Sequence, residues 1–406
     1  MRFLFCSFES PGYLYPMIGL ALELRGRGHE VAFASGLATR ETLEATGLER
    51  LPRGETDGDS FRVKTWFVPV LTALNVKHTE HAVRRFAPDA LVTHQLCQAP
   101  CLVGEREGIP VAVLGMFSYL WPAPGADSAG APPSPTEGLR RWRLNEHARI
   151  LNEARALFRM PAVEAGAADF PLLGELFLLR TVPALEPALE SLPPQVHAVG
   201  ACLWEPSRDE EGAWEALRAD FAAPEAPLLY VQQGRTFDGP SFWPQTVDAL
   251  AGQPVQVVAS VGRMDQEVGT LPPNFLVRDH VPQGLVMSRA RAVLSGAHTS
   301  VVLATLAHGL PSVVVPTGGE TPDNAERLAA AGCALSLAAE DATAEALREA
   351  VGQALAAEGL AARCKHLQRV LAEVDSFDRS ADLVEHLAMT GAKVCRHAPA
   401  FAGASG

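Results

Sequence analysis

The stretch that decides the fold is VRDHVPQGLVMSRARAVLSGAHTSVVLATLAHGLPSVVVPTGGETPDNAERLAAAGCAL, residues 277–335. It reads as a strand, a short helix, a strand, a glycine-containing turn, a helix, a strand, a loop and a final helix. Short strands that are almost entirely apolar and alternate with helices are typical of a parallel sheet covered on both faces. This stretch therefore predicts an α/β fold built on a parallel sheet.

The same alternation of strands and helices extends over most of the chain. Predicted strands cover residues 2–7, 30–35, 89–94, 111–115 and 177–181 in the first half, and 228–233, 255–261, 275–278, 292–295 and 312–316 in the second. Two such runs predict two Rossmann-like, doubly wound domains. Ligands of these sheets bind at the carboxyl ends of the strands, so we expect the site in the cleft between the domains.

Length and charge set the domain number and narrow the class of partner. The 406 residues exceed the ~250–300 that one hydrophobic core usually supports. We place the first domain at 1–203, a charged connection at 204–227, the second domain at 228–376, a C-terminal helix at 377–392 and a tail rich in small residues at 393–406. The net charge of −13 argues against nucleic acid or an anionic membrane as a partner.

Cysteine usage and hydropathy indicate the compartment. The seven cysteines are scattered and odd in number, which favours reduced thiols. No apolar run reaches the ~18 residues that a membrane-spanning helix needs. We therefore expect a cytoplasmic protein that does not enter a membrane.

The familiar cofactor and metal motifs are absent from the sequence. It contains no GxGxxG, GxxxxGK[ST], HExxH or GxSxG motif and no zinc-ligand spacing. We therefore expect no cofactor and no metal. The turn SGAHTS, residues 295–300, instead leads into a helix N-terminus, where free backbone N–H groups favour an anion. The loop after the next strand presents Glu320, Thr321 and Asn324, whose side chains suit a polyhydroxylated ligand.

Several segments resemble the family-1 glycosyltransferases, the GT-B fold enzymes that glycosylate natural products, including antibiotics. GYLYPMIGLALELRGRGHEV, residues 12–31, is similar to that family's opening GHxxPxxxLAxxLxxRGHEV. PDALVTH at 88–94 and EREGIPVAV at 105–113 resemble its third and fourth strands. LATLAHGLPSVVVP at 303–316, followed by PDNAERLAAAG at 322–332, is the strongest match. The resemblance covers most of the chain and is most specific in the second half.

The resemblance implies an inverting, metal-independent transfer of a sugar from a nucleoside-diphosphate sugar, UDP- or TDP-linked, to a small natural-product acceptor. The acceptor is expected in the N-terminal domain and the donor in the C-terminal domain. The last helix is expected to cross back to the first domain. We also count a second copy of the chain, as a homodimer, among the candidate partners.

The catalytic positions depart from the family pattern. The family's base is a histidine that follows the first glycine of GHxxP, and here that position is Tyr13. The aspartate that orients this histidine in many members corresponds to His94. A free tyrosine with a pKa near ~10 is a poor base at neutral pH. We therefore assign the base to His94, with Tyr13 beside it as a substrate contact. The alternatives are a tyrosine that packs on the domain interface and a histidine that is structural or contacts the substrate.

The donor positions also depart from the family pattern. The histidine of its diphosphate motif corresponds to Gly296, with His298 as the nearest histidine, and its sugar-binding Asp–Gln pair appears as Glu320 and Thr321. We assign the residues that bind the donor as follows. The nucleotide base is bound by Val281 and Gln283, and the sugar by Glu320, Thr321 and Asn324. The diphosphate is bound by Arg235, Gly296, His298, Thr299 and Ser300. For the acceptor we assign Trp66, His78 and Phe117. A helix cap for Asn324 and a solvated helix face for His78 are the structural alternatives.

Three other functions fit the same substitutions. A pseudo-glycosyltransferase uses this fold for another group transfer, since fold does not fix chemistry. A non-catalytic auxiliary subunit stabilises a partner transferase. A third is a glycosyltransferase whose acceptor needs no strong base, such as an acidic phenol, an amide or a carbon nucleophile.

Overall fold

The computed structural model describes residues 1–54, 60–116, 121, 135–167, 169–186, 189–206, 210–233, 241–261, 268–278 and 281–396. The chain divides into two compact units, Met1–Pro206 with Val374–Gly406, and Ser207–Glu373. We call them unit 1 and unit 2. Each contains one parallel β-sheet with helices, which confirms the predicted α/β class.

The strands are short and mostly buried. They are β1 (Arg2–Ser7), β2 (Glu30–Ser35), β3 (Glu49–Leu51), β4 (Ala90–His94), β5 (Val111–Gly115), β6 (Leu176–Leu179), β7 (Val196–Ala198), β8 (Leu228–Gln232), β9 (Gln256–Ser260), β10 (Phe275–Arg278), β11 (Ala292–Ser295), β12 (Ser312–Val314) and β13 (Ala334–Ser336). Unit 1 holds the first seven in the order β3-β2-β1-β4-β5-β6-β7, and unit 2 holds the rest in the order β10-β9-β8-β11-β12-β13.

The helices connect these strands and cover the sheets. They are α1 (Pro11–Gly26), α2 (Arg40–Thr46), α3 (Pro69–Phe86), α4 (Ala99–Glu107), α5 (Pro135–Leu157), α6 (Glu210–Arg218), α7 (Trp243–Leu250), α8 (Gln283–Met287), α9 (Thr299–Ala307), α10 (Thr321–Ala330), α11 (Ala344–Ala356), α12 (Glu358–Ala372) and α13 (Ser376–Thr390). In the described part of the chain, no helix is both long enough and apolar enough to cross a bilayer.

Both faces of the unit 1 sheet are buried. Apolar side chains of α3, α4 and α5 cover one face, and those of α1 and α13 cover the other. The central strands β4 and β5 are therefore buried along their whole length, as expected for a parallel sheet.

Helix α13 comes from the end of the chain and packs on α1. The fit is close, because a Cβ on Gly19 would lie 2.2 Å from the ring of Phe377. At the end of α1, Arg27 donates to Asp382 at 2.7 Å and to Glu385 at 3.1 Å, and it also pairs with Asp378. Apolar residues of α13 complete the second core face, so this helix is an integral part of unit 1.

Three details differ from the sequence predictions. The turn expected around Tyr13 is the first turn of α1, which begins at Pro11, since proline suits the first position of a helix. The strands β3, β7 and β13 were not predicted. The segment expected as a connection at 204–227 contains α6, where Arg289 lies over the Trp214 ring at 4.7 Å, so this helix belongs to unit 2.

Candidate functional site

Each sheet has one point where the strand order reverses direction. In unit 1 this point lies between β1 and β4, and in unit 2 between β8 and β11. The carboxyl ends of the two strands lie side by side there, and their connections run away in opposite directions. Ligands of doubly wound sheets bind at such points. Most of the residues predicted from the sequence lie at one of these two edges.

The edge of unit 1 brings Tyr13 and His94 together. Their rings stack with centroids 4.6 Å apart and an interplanar angle of 11°, and the ring of Phe8 meets His94 edge-on at 4.6 Å. Tyr13 lies in the first turn of α1, and His94 ends β4. Both side chains are buried, with 6% and 2% of their surface exposed. The two positions predicted to form the catalytic pair are thus in contact, as an aromatic stack.

The hydrogen bonds of His94 define which nitrogen carries its proton. The backbone N–H of Phe8 donates to Nε2 at 3.3 Å, so Nε2 is the acceptor and a neutral ring carries its hydrogen on Nδ1. Burial lowers the pKa of His94 to about 3, which keeps the ring neutral at physiological pH. Nδ1 is buried and has no hydrogen-bond partner in the described part of the chain.

This geometry does not suit the predicted role of His94 as a base. Its only lone pair accepts the Phe8 N–H bond. A general base also works best when its pKa lies near the operating pH, and burial moves that of His94 far below. What His94 presents is an N–H donor.

The three predicted acceptor contacts have different outcomes. His78 is fully buried, and its ring nitrogens bond Ser60 Oγ at 2.7 Å and the carbonyl of Leu51 at 2.9 Å. The prediction for His78 is therefore corrected: its ring is committed to the core, and it lies neither in a pocket wall nor on a solvated face. Trp66 is partly buried and stacks on His147 with centroids 5.1 Å apart. Phe117 lies outside the described residues.

The edge of unit 2 is built from a glycine turn and a helix N-terminus. After β11 the backbone passes through Gly296, where a Cβ would lie 2.6 Å from the carbonyl oxygen of Gln233, so only glycine fits without a shift. Ala297 follows with a positive φ of 61°. His298 is then the N-cap of α9. Its imidazole lies close to Gly296: a Cβ added to Gly296 would be 3.2 Å from Cε1 of His298.

Asn324 joins the turn before α9 to helix α10. Its amide donates to the carbonyl of Ala297 at 2.7 Å and to Thr299 Oγ1 at 3.4 Å, and it does not cap its own helix. Two polar atoms at this junction, His298 Nδ1 and Asn324 Oδ1, are buried without a hydrogen-bond partner in the described part of the chain. Buried polar atoms are normally paired, so this pair points to a ligand.

Thr321 and Glu320 were predicted to bind a sugar, and only Thr321 has its side chain fully engaged in hydrogen bonds within its own loop. The Thr321 hydroxyl accepts from the backbone N–H groups of Thr317 and Gly318 at 3.0 and 3.1 Å and donates to the carbonyl of Gly318 at 2.8 Å. A hydroxyl has one hydrogen and two lone pairs, so none is left for a ligand. The prediction for Thr321 is corrected to a loop-forming role. Glu320, the N-cap residue of α10, does not cap that helix with its side chain.

The remaining predicted donor residues lie around the start of α8. Val281 is buried, and Gln283 is the first residue of that helix. The Gln283 amide donates to the carbonyl of Ser300 at 3.4 Å. This bond connects the residues predicted to bind the nucleotide base to the first turn of α9. Arg235 lies outside the described residues.

The sequence reasoning missed several side chains that have a buried polar atom without a hydrogen-bond partner in the described ranges. Among them are the buried Gln98 and His147 and the half-buried Gln233. Gln98 is the N-cap residue of α4, and both polar atoms of its amide are unpartnered. His147 was detectable, because it shares a helical face with Leu144, Ala148 and Leu151 on α5 and is therefore expected to point inward.

Known proteins are similar to this chain over most of its length. Residues 245–387 match the family model for the C-terminal domain of erythromycin biosynthesis protein CIII-like proteins. The 4'-demethylrebeccamycin synthase of Lentzea aerocolonigenes is 26% identical, covering 95% of this chain and 99% of the relative. The oleandomycin glycosyltransferase of Streptomyces antibioticus is 27% identical, covering 93% and 89%. These matches over nearly the whole chain support a glycosyltransferase of natural-product biosynthesis.

The solved structures agree on the fold of this glycosyltransferase. The spinosyn rhamnosyltransferase SpnG, solved with thymidine diphosphate and separately with spinosyn aglycone, matches at a TM-score of 0.68 and 20% identity, covering 95% of this chain and 100% of SpnG. At that identity the match supports the GT-B fold alone.

Proposed function

We propose that this glycosyltransferase moves a sugar from a UDP- or TDP-linked donor to a small natural-product acceptor, with inversion at the anomeric carbon and without a metal. The observation that carries the proposal is the unit 2 edge, where Gly296, His298 and Asn324 surround the N-terminus of α9. A helix N-terminus attracts phosphate through its backbone N–H groups and its dipole. The printed names of the relatives support sugar transfer, and the SpnG complex with thymidine diphosphate supports a TDP-linked donor.

In this proposal each group has one task. The N–H groups at the start of α9 and the His298 imidazole bind the diphosphate and stabilise the charge that develops as it leaves. Glu320 accepts hydrogen bonds from the sugar hydroxyls. The acceptor oxygen attacks the anomeric carbon from the face opposite the diphosphate, and its proton passes to water. The bond from that carbon to the phosphate oxygen breaks, and the nucleoside diphosphate leaves with the electron pair.

Binding of the nucleotide is tested by titration calorimetry with UDP, TDP and GDP. We expect saturable binding of UDP or TDP that a metal chelator does not abolish. His298→Ala is expected to weaken it by tenfold or more, as for loss of a hydrogen bond to a charged group. His308→Ala is the matched control: this histidine lies at the other end of α9, where Nδ1 bonds the carbonyl of Ala304, and its loss should leave affinity unchanged.

Transfer itself is tested by incubating the protein with several nucleotide sugars and aromatic or aliphatic acceptors, with mass spectrometry of the products. If no nucleotide binds, the donor site is refuted and an auxiliary role gains support. Nucleotide binding without any glycoside product would instead favour a pseudo-glycosyltransferase. We further propose a cytoplasmic location, consistent with the seven cysteines, all of which are free thiols.

A further inference from the structure

Glu9 lies at the unit 1 edge, two residues after the end of β1 and at the point where the strand order reverses. Of the described residues that follow a strand of this sheet by one or two positions, it alone has a carboxylate. Ligands of doubly wound sheets bind at this edge. Glu9 therefore lies where the acceptor of the proposed transfer is expected.

The carboxylate of Glu9 is held by its own hydrogen bond and by the backbone before it. Its Oε2 accepts the backbone N–H of Val63 at 3.0 Å. The preceding residue, Phe8, is fully buried, and its N–H donates to Nε2 of His94 at 3.3 Å. Groups that act on a substrate need this kind of support, because it fixes their direction before the substrate binds.

One oxygen of this carboxylate remains available. In the described part of the chain, Oε1 has no hydrogen-bond partner, and it is not one of the atoms shut off from solvent. Glu9 is half-buried, so a ligand at the edge has access to this oxygen. An ionised carboxylate has about four lone-pair sites, so the bond to Val63 leaves room for a proton.

The two side chains first assigned to the catalytic position are poor proton acceptors. His94 uses its acceptor nitrogen for the Phe8 N–H, and burial lowers its pKa to about 3. A tyrosine such as Tyr13 is ordinarily protonated at neutral pH. Glu9 is therefore the side chain at this edge whose chemistry and access suit a base.

We propose that Glu9 is the general base of the transfer, an inference that rests on the proposed sugar transfer and adds the residue that receives the proton. Oε1 takes the proton of the acceptor hydroxyl while the acceptor oxygen bonds to the anomeric carbon. The bond from that carbon to the diphosphate oxygen breaks, and the nucleoside diphosphate leaves with the electron pair. The proton then passes from Glu9 to water, which restores the carboxylate. His94 is a positioning residue, because its bond to the Phe8 N–H holds the chain before Glu9.

The first test removes the base and keeps its structural bond. Glu9→Gln retains an oxygen for the Val63 N–H, and we expect kcat to fall about a hundredfold or more, while KM for the nucleotide sugar stays close to that of wild type. Glu175→Gln is the matched control: Glu175 is half-buried and its Oε2 accepts the N–H of Val111 at 2.8 Å, but it precedes β6, at the opposite end of the sheet. This control should keep the wild-type kcat. A wild-type kcat in Glu9→Gln would mean that Glu9 only holds the Val63 segment, and it overturns the proposal.

The second test separates a base from a residue that merely shapes the edge. It uses the best acceptor of the transfer assay and fluorinated analogues of matched shape, whose hydroxyl groups are more acidic. A more acidic hydroxyl needs less help from a base, so the ratio of wild-type to Glu9→Gln kcat/KM should fall about tenfold or more from the least to the most acidic acceptor. A structural role would lower all rates by the same factor, and a constant ratio therefore overturns the proposal.

Nucleotide affinity distinguishes this inference from the proposed function. Glu9 lies in unit 1, so UDP or TDP affinity should be the same in wild type, Glu9→Gln and Glu175→Gln. A wild-type protein that binds nucleotide but transfers sugar to no acceptor overturns the proposed transfer, and the inference with it, while the nucleotide site stands. A wild-type protein that transfers sugar no faster than Glu9→Gln overturns the inference alone.

Discussion

The two sheet edges have the same topology and opposite chemistry. In unit 1 the edge is aromatic, with His94 held neutral between Phe8 and Tyr13. In unit 2 the edge is a glycine turn and a helix start, with side-chain amide and imidazole atoms left unpartnered in the described residues. Topology alone therefore decides where a ligand goes, and the residues placed there decide which ligand it is. The proposed diphosphate site lies at the polar edge.

The largest expected difference between the units is their response to acid. Burial lowers the pKa of His94 to about 3 and those of His147 and His197 to about 4, and all three lie in unit 1. A histidine with a lowered pKa contributes stability above its unfolded pKa of ~6.5 and loses it as the pH falls. Each of these histidines should then lower the free energy of unfolding by up to about 1.4 kcal/mol for every pH unit below ~6. We expect unit 1 to unfold first on acidification.

Hydrogen exchange followed by mass spectrometry at pH 7, 6 and 5, corrected for the intrinsic exchange rate, resolves the two units. Peptides of unit 1 should lose protection at a higher pH than those of unit 2. His94→Gln should reduce the pH dependence of unit 1, whereas substitution of His366, which is exposed on α12, should not change it. Simultaneous loss of protection in both units would contradict the prediction.

A smaller effect is expected from removing the side chain that organises the unit 2 edge. Asn324→Ala leaves the carbonyl of Ala297 without its donor and should lower the free energy of unfolding by about 1–3 kcal/mol. It should also weaken nucleotide binding by tenfold or more, because the turn before α9 is no longer held. Chemical denaturation and calorimetry measure the two effects.

Asn152→Ala is the matched control for this substitution. In unit 1, Asn152 bridges to the backbone of Val163 with two bonds of 2.9 Å, so its loss should cost similar stability. Nucleotide affinity should not change. Equal loss of affinity in both variants would mean that Asn324 acts through general stability and not through the site.

A comparison of two glycines of unit 2 includes the smallest expected effect, that of Gly352→Ala. Gly296→Ala places a Cβ against the Gln233 carbonyl at 2.6 Å and should destabilise by about 1–3 kcal/mol while lowering nucleotide affinity. Gly352→Ala, inside α11, adds a Cβ that meets no atom within 4 Å outside the backbone of its own helix. It should raise the free energy of unfolding by about 0.5–1 kcal/mol. Thermal shifts of opposite sign are the expected result. A Gly296→Ala protein with unchanged affinity would show that the turn is not part of the nucleotide site.

The sequence predicted most central strands well and missed three of the four edge strands. β1, β2, β5 and β11 have the predicted bounds, because a buried parallel strand is a short apolar run that few other structures produce. The edge strand β10 also has the predicted bounds. The missed strands β3, β7 and β13 have three residues each and lie at sheet edges, where one side has no partner strand and the apolar pattern is too short to recognise.

The candidate site was predictable in place but not in detail. Chain order located Tyr13, His94, Gly296 and His298 at strand ends, since that follows from topology. The sequence did not show that the lone pair of His94 is occupied, because its partner is a backbone N–H group 86 residues earlier. The role of Thr321 was hidden for a similar reason: its partners are backbone groups of its own loop.

The position of α13 has a consequence for how the protein is made. Unit 1 begins with the first residue of the chain, yet its core includes Ala381, Leu383, Val384 and Leu387 from α13. On the ribosome, the apolar face of α1 is therefore synthesised long before the helix that covers it. Unit 2 has all of its residues available earlier and can complete its core first. The unit that is translated first is thus expected to be the last to finish folding.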